Sequence, residues 1–385
     1  MSQKEKKSWK NYLPVILGMV MGLGAGVASG ILFAGGIQAS DGKDLVVVLF
    51  MSLLSAIAAF FLQVFFHESG HLIFGLLTGY RFVSFRIGHL MFVRQDGVMN
   101  IRRMSITGTG GQCLMAPPEP YSPAMPTQLY NYGGVIMNVL VALLAGLEAA
   151  RASGVWQIFC VMLAVVGLFF ALLNGVPMQT GLLDNDGRNA MHLRKDQKNV
   201  RAFWIQLKVN EEMVKGRRLK DLPQEWFEEI APVDNILVGT QAAMRVEREM
   251  DAGRYEEARV LAEALLKSGR EMGGYLTFVN KCNLAYLYLT QEMPDVARAR
   301  GLVDKGYLKV QRQMMKQPAT LRTMYAYRLI AEKDQKGAEE AMVRFDLLAR
   351  TYPIQSEIEM ERELLARVDA AAEQIKTLPS KTGKA

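Results

Sequence analysis

The chain is short of the residues that build most redox and metal sites. Among 385 residues there are three cysteines, Cys113, Cys160 and Cys282, far apart and with no CxxC spacing. That excludes a disulfide framework and a thiolate metal site. Only four histidines are present, His67, His71, His89 and His192. No glycine-rich loop ends in GK[ST]. The one glycine cluster in a loop, "TGTGGQCLMAPPEP" (Thr107–Pro120), runs into prolines instead, which excludes a nucleotide-binding P-loop.

Charge is scarce in the first half of the chain and abundant in the second. Half of all residues are apolar, and the net charge is +7. Four apolar stretches reach the roughly 20 residues that a membrane-spanning helix needs, about Leu13–Ala34, Leu45–Leu77, Gly133–Ala150 and Trp156–Val176. The first follows Lys4, Lys6, Lys7 and Lys10, but its apolar core is too long for a signal peptide and reads as an anchor. The positive-inside rule puts the N-terminal lysines in the cytoplasm, together with the loop carrying Arg81, Arg86, Arg94, Arg102 and Arg103 and everything after Val176. With that topology the basic balance reports cytoplasmic loops, and no nucleic-acid partner is expected. The absence of an organelle-targeting segment suggests a bacterial plasma membrane.

The second apolar stretch carries an anomaly, "FFHESGHLIF" (Phe65–Phe74). Ionisable groups amid membrane-grade apolar residues are costly and point to function. His67-Glu68-Ser69-Gly70-His71 is the HExxH pattern: residues four apart share a helix face, so both imidazoles reach one ion. Glu68 stands beside them as a general base that can take a proton from an attacking water and pass it to a leaving amine. Zinc needs a third protein ligand and keeps its fourth position open. The remaining candidates are His89, His192, and Asp184 and Asp186 in "NGVPMQTGLLDNDGRNA", which follows the fourth apolar stretch. Asp186 precedes Gly187, whose backbone freedom would suit a tight turn.

HESGH in a membrane helix, "YNYGGVIMN" with Gly133, Gly134 and Asn138, and then "NGVP" followed by "NDG" resembles the site-2 protease family of intramembrane zinc metalloproteases. The resemblance covers about Leu45–Ala190. It implies an intramembrane zinc endopeptidase acting on membrane-embedded or membrane-proximal protein substrates. His67, His71 and Asp186 would hold zinc, Glu68 would be the general base, and Asn174 would orient substrate or oxyanion. The chain departs from the pattern in two ways. Asn174 to Asp186 is longer than the family spacing, which Asp184 fits better without a following glycine, and Gly175 stands where leucine is common. The rival reading is a noncatalytic membrane scaffold.

Between the second and third stretches, Tyr80–Ile106 alternates as strands do, with Asp96-Gly97 as a hairpin turn. After Asp186 the chain turns polar. "RNAMHLRKDQKNVRAFWIQLKV" reads as an amphipathic helix, solvated or lying on lipid. Three helical-hairpin patterns follow, with Ala258, Ala297 and Ala341 at comparable positions. Spaced about 40 residues apart, they are similar to tetratricopeptide units, which bind protein partners on a concave face. The expected architecture is therefore mainly α. A polytopic transmembrane domain (1–190, about four spans with a small β-hairpin) is followed by a helical connector (191–231). A repeat domain (232–375) and a disordered tail (376–385) complete it.

Overall fold

The computed structural model describes residues 42–377, apart from 96, 105–108, 181–182, 229–231 and 268–272. The expected first span, Leu13–Ala34, lies outside the described residues, as does most of the expected tail. The described residues divide into two compact units: one comprises those up to Ile87 and within Gly110–Val200, the other those within Gly88–Thr109 and from Arg201 onward.

The first unit is built on three helices long and apolar enough to cross a membrane: α1 (Gly42–Leu77), α2 (Thr127–Ala149) and α3 (Gly154–Gly175). The 36 residues of α1 extend about 54 Å at 1.5 Å per residue, well beyond a hydrocarbon core of about 30 Å. Much of its outward surface is bare apolar side chain, including Val46, Phe50, Leu53, Ile57 and Phe61. Such a surface suits contact with lipid. The inner faces interlock. Val48 and Ala59 of α1 bury against Ile158, Met162 and Val166 of α3, and Phe60 meets Phe170 edge to face at 5.4 Å.

Glycines decide how closely these helices approach. A Cβ on Gly70 would fall 2.2 Å from the Gly133 carbonyl oxygen, and one on Gly133 would fall 2.6 Å from that of Gly70. Helices α1 and α2 therefore cross backbone to backbone, as small residues permit. This places Gly133 and Gly134 inside α2, which begins six residues before the apolar stretch read from the sequence.

Strands fill the α1–α2 connection. In the first unit β1 (Arg81–Ile87) pairs antiparallel with β4 (Gly111–Ala116), bringing Arg86 opposite Gln112 and Ile87 opposite Gly111. In the second unit β2 (Leu90–Gln95) and β3 (Val98–Arg103) form the expected hairpin, with Gln95 opposite Val98 and Gly97 at φ +79°. This hairpin is anchored to the helical part of its own unit. The Gln95 side-chain amide donates to the carbonyls of Val214 (3.1 Å) and Pro353 (3.4 Å). Met104 packs on the cluster of Leu321, Phe345, Ala349, Tyr352, Ile358 and Leu365.

After α3 come β5 (Gln179–Thr180), β6 (Leu183–Asp184), α4 (Asp186–Lys195) and α5 (Gln197–Val214). Helix α5 is no surface helix: Phe203, Ile205, Leu207 and Val209 are buried, and buried Lys208 is paired with Glu211 at 2.6 Å. The rest of the second unit is antiparallel helices. Helix α6 (Ile236–Asp251) turns at Gly253 into α7 (Tyr255–Lys267). Then follow α8 (Gly273–Thr290) with the short helix Val296–Leu302, and Pro318–Ala326 with Gln335–Ala349. The last described helix is Gln355–Thr377. Ala258 and Ala341 fill buried positions. In the middle hairpin Ala299 is the buried alanine, and Ala297 is exposed.

Candidate metal centre

His67 and His71 lie one turn apart on the inner face of α1, both buried. Asp186 is the first residue of α4 and reaches the same point: its Oδ2 lies 3.0 Å from His67 Nε2 and 3.5 Å from His71 Nε2. The ligating atoms of the three residues all lie within 4.8 Å of one another, and among the described residues this is the one such group that could hold a metal ion.

Hydrogen bonding fixes the protons of both imidazoles. His71 Nδ1 is 2.7 Å from the Tyr130 carbonyl oxygen, which can only accept, so Nδ1 carries the proton. His67 Nδ1 is 2.7 Å from Asn138 Oδ1. The Asn138 amide nitrogen donates to Gln63 at both the backbone oxygen (3.0 Å) and Oε1 (2.7 Å), which identifies Oδ1 as the acceptor from His67. The Gln63 amide in turn donates to the Leu163 carbonyl at 2.9 Å. Both Nε2 atoms are thus left as lone pairs, 3.2 Å apart. Asp186 Oδ2 faces them, buried and without a hydrogen-bond partner among the described residues. Two imidazole lone pairs and a carboxylate oxygen converging in a buried place repel one another unless a cation sits among them. The residues therefore fit a metal ion, and the outer carbonyl and carboxamide contacts are the kind that orient histidine ligands.

Asp186 owes its place to Asn185. The Asn185 carboxamide donates to the carbonyls of Leu173 (2.7 Å) and Val176 (2.6 Å), and its Oδ1 accepts from the Met178 and Arg188 amides. It caps α4 and pins that helix to the end of α3. Gly187 serves proximity rather than a turn: a Cβ there would fall 2.2 Å from the Gly175 carbonyl oxygen. Asp184 goes elsewhere, 3.1 Å from Arg188 Nε and 3.7 Å from His192 Nε2. His89 uses its carbonyl to accept from the Met104 amide in the β2–β3 unit.

Glu68 is buried beside the histidines, its carboxylate lying against the backbone of Gly111 in β4. A Cβ at Gly111 would be 2.7 Å from Glu68 Oε1. Gly134 makes similar room for the His67 ring, which a Cβ there would meet at 2.5 Å. Asn174 is not brought into the cluster: its amide donates to the Phe170 carbonyl of its own helix at 3.0 Å. Sequence reasoning did not single out Gln63, Tyr130, Asn185 or Gly111. Only the first hints at itself, as a lone amide in an apolar run. Comparison with protein-family models, curated proteins and solved structures finds no match to this chain.

Proposed function

We propose that this chain is an intramembrane zinc endopeptidase of the site-2 protease kind. The observation that carries the reading is the convergence of His67, His71 and Asp186, with Glu68 one residue along from His67, on a helix apolar enough to cross a membrane. Two imidazoles and one carboxylate make a donor set that suits zinc and leaves a coordination position open. Zinc bound there supplies Lewis-acid polarisation of a scissile carbonyl and lowers the pKa of an attacking water. His67, His71 and Asp186 hold the ion, with Asn138 and Tyr130 keeping the two imidazoles in the tautomer that offers Nε2. Glu68 takes the water's proton and delivers it to the leaving amine.

The substrate class is a membrane-embedded or membrane-proximal polypeptide, because the site sits in a helix whose outer face is suited to lipid. The second unit carries no comparable cluster among its described residues, and its helical hairpins suit recognition or regulation by a protein partner. The arginines of the α1–α2 connection favour a cytoplasmic location for that unit, in a bacterial plasma membrane. Asn174 remains in the proposal as a substrate-orienting group that would exchange its bond to Phe170 for one to substrate.

The test is cleavage of a panel of single-span substrates by purified protein. Wild type should cleave at least one, and Glu68→Gln should cleave none while retaining its metal. Cleavage by correctly folded Glu68→Gln would remove the proposed mechanism.

A further inference from the structure

Arg86 belongs to the set of basic residues from which the cytoplasmic loop was read, yet it behaves unlike the others. Arg81, Arg94, Arg102 and Arg103 are exposed, whereas Arg86 is 1% exposed and among the largest fully buried side chains. Its guanidinium Nη2 donates to the Gly111 carbonyl at 3.0 Å. Gly111 is the residue whose backbone the Glu68 carboxylate lies against. One peptide of β4 therefore touches the buried arginine by its oxygen and the glutamate by its α-carbon. A buried guanidinium is costly unless charge or hydrogen bonds compensate. Burial lowers the Arg86 pKa, and the Glu68 carboxylate acts on it in the opposite direction.

We infer that Arg86 is a positioning residue for Glu68: it fixes the Gly111 peptide that walls the glutamate side chain, and its charge balances the carboxylate across that wall. The kinetic consequence rests on the peptidase reading, but the pairing with Glu68 does not. Arg86 touches neither substrate nor metal in this account. It acts by limiting where the Glu68 carboxylate can go.

The experiment is a double-mutant cycle on the full-length protein in detergent, with Arg86→Met, Arg86→Lys, Glu68→Gln and the double variants. Thermal midpoint, metal content, and kcat and KM on a cleaved single-span substrate are read for each. Arg86→Met should keep its metal and lower kcat by about tenfold or more with little change in KM, since general-base catalysis is sensitive to placement. Arg86→Lys should recover part of that loss. Arg86→Met should also depress the thermal midpoint more in the wild-type background than in Glu68→Gln, because only the former loses a charge partner. Additive midpoint losses in the two backgrounds would overturn the inference and leave Arg86 as strand packing alone. If Arg86→Met does not fold, the uncharged Arg86→Gln carries the same comparison. If the wild-type protein cleaves nothing, the peptidase reading fails while the midpoint cycle still decides the Arg86–Glu68 pairing.

Discussion

Asn138→Ala removes no metal ligand, yet it should weaken metal binding. The Asn138 side chain is fully buried, and its Oδ1 holds His67 Nδ1 at 2.7 Å. With the carboxamide gone, the His67 ring loses the contact that fixes its tautomer and rotation. Losses of this type cost about 10- to 100-fold in metal affinity, equivalent to about 1.4–2.7 kcal/mol. A second cost falls on the apoprotein. Gln63 Oε1 loses the donor 2.7 Å away, and a buried acceptor left unsatisfied costs about 1–3 kcal/mol. Gln63 itself stays tethered through Leu163, so the damage should remain local. The assay is competitive zinc titration against a chromogenic chelator in detergent, with helicity and gel-filtration profile confirming the fold. Gly134→Ala is the companion variant, since its Cβ would enter the His67 ring at 2.5 Å. An affinity for folded Asn138→Ala within about twofold of wild type would refute the orienting role.

Asp186→Ala should lose bound metal while Asp184→Ala keeps it, because Asp184 is paired with Arg188 and His192 instead of the cluster; metal analysis of the two variants checks the ranking. In the second unit, burial and neighbouring carboxylates push Glu357 up to about 8 from 4.5. Burial above all raises Glu361 to about 7, although Arg322 opposes the shift at 2.9 Å. Both carboxyls bind protons more tightly folded than unfolded. Stability should therefore fall as pH rises from about 4.5 through 8. Thermal melts at pH 6 and pH 8.5 should differ in that direction, and Glu357→Gln should reduce the difference; a melt that rises with pH contradicts the sign. Truncation after residue 231 removes Pro353 and the cluster that receives Met104, so the β2–β3 hairpin should become an easier protease target at Arg94, Arg102 and Arg103. Equal digestion rates in truncated and full-length protein would show that the anchoring does not protect it.

The parts of the site legible in the sequence are those whose signal is periodic or local. Two histidines four apart in an apolar helix announce a shared face, and Asp186 stands out because an Asp-Gly after a later apolar stretch resembles the family pattern. What the sequence could not reveal depends on contacts between distant segments. Arg86 looks like any loop arginine until β1 and β4 pair and bury it. Gly111 sits in a stretch that resembles a degenerate phosphate loop but is a strand passing Glu68. Gly187 was read for its turn, whereas its use is the approach to Gly175, a position that looked like a departure from the family pattern. Hydropathy located two of the three described apolar helices to within a few residues, but it missed the start of α2 by six. There the polar segment Thr127–Tyr132 is helical because it faces the site, where Tyr130 accepts from His71. In the helical hairpins Ala258 and Ala341 are buried, whereas near Ala297 the buried alanine is Ala299. A short helix with two nearby alanines gives periodicity little to discriminate.

The claim on which the account depends is that the three convergent side chains hold a metal ion. Elemental analysis of purified, chelator-washed and zinc-reloaded protein tests it directly, alongside His67→Ala and His71→Ala prepared in the same way. One zinc per chain is expected in the wild type and its loss in each variant, because each removes one of the three protein donors found among the described residues. Stoichiometric zinc retained by either folded histidine variant would contradict it.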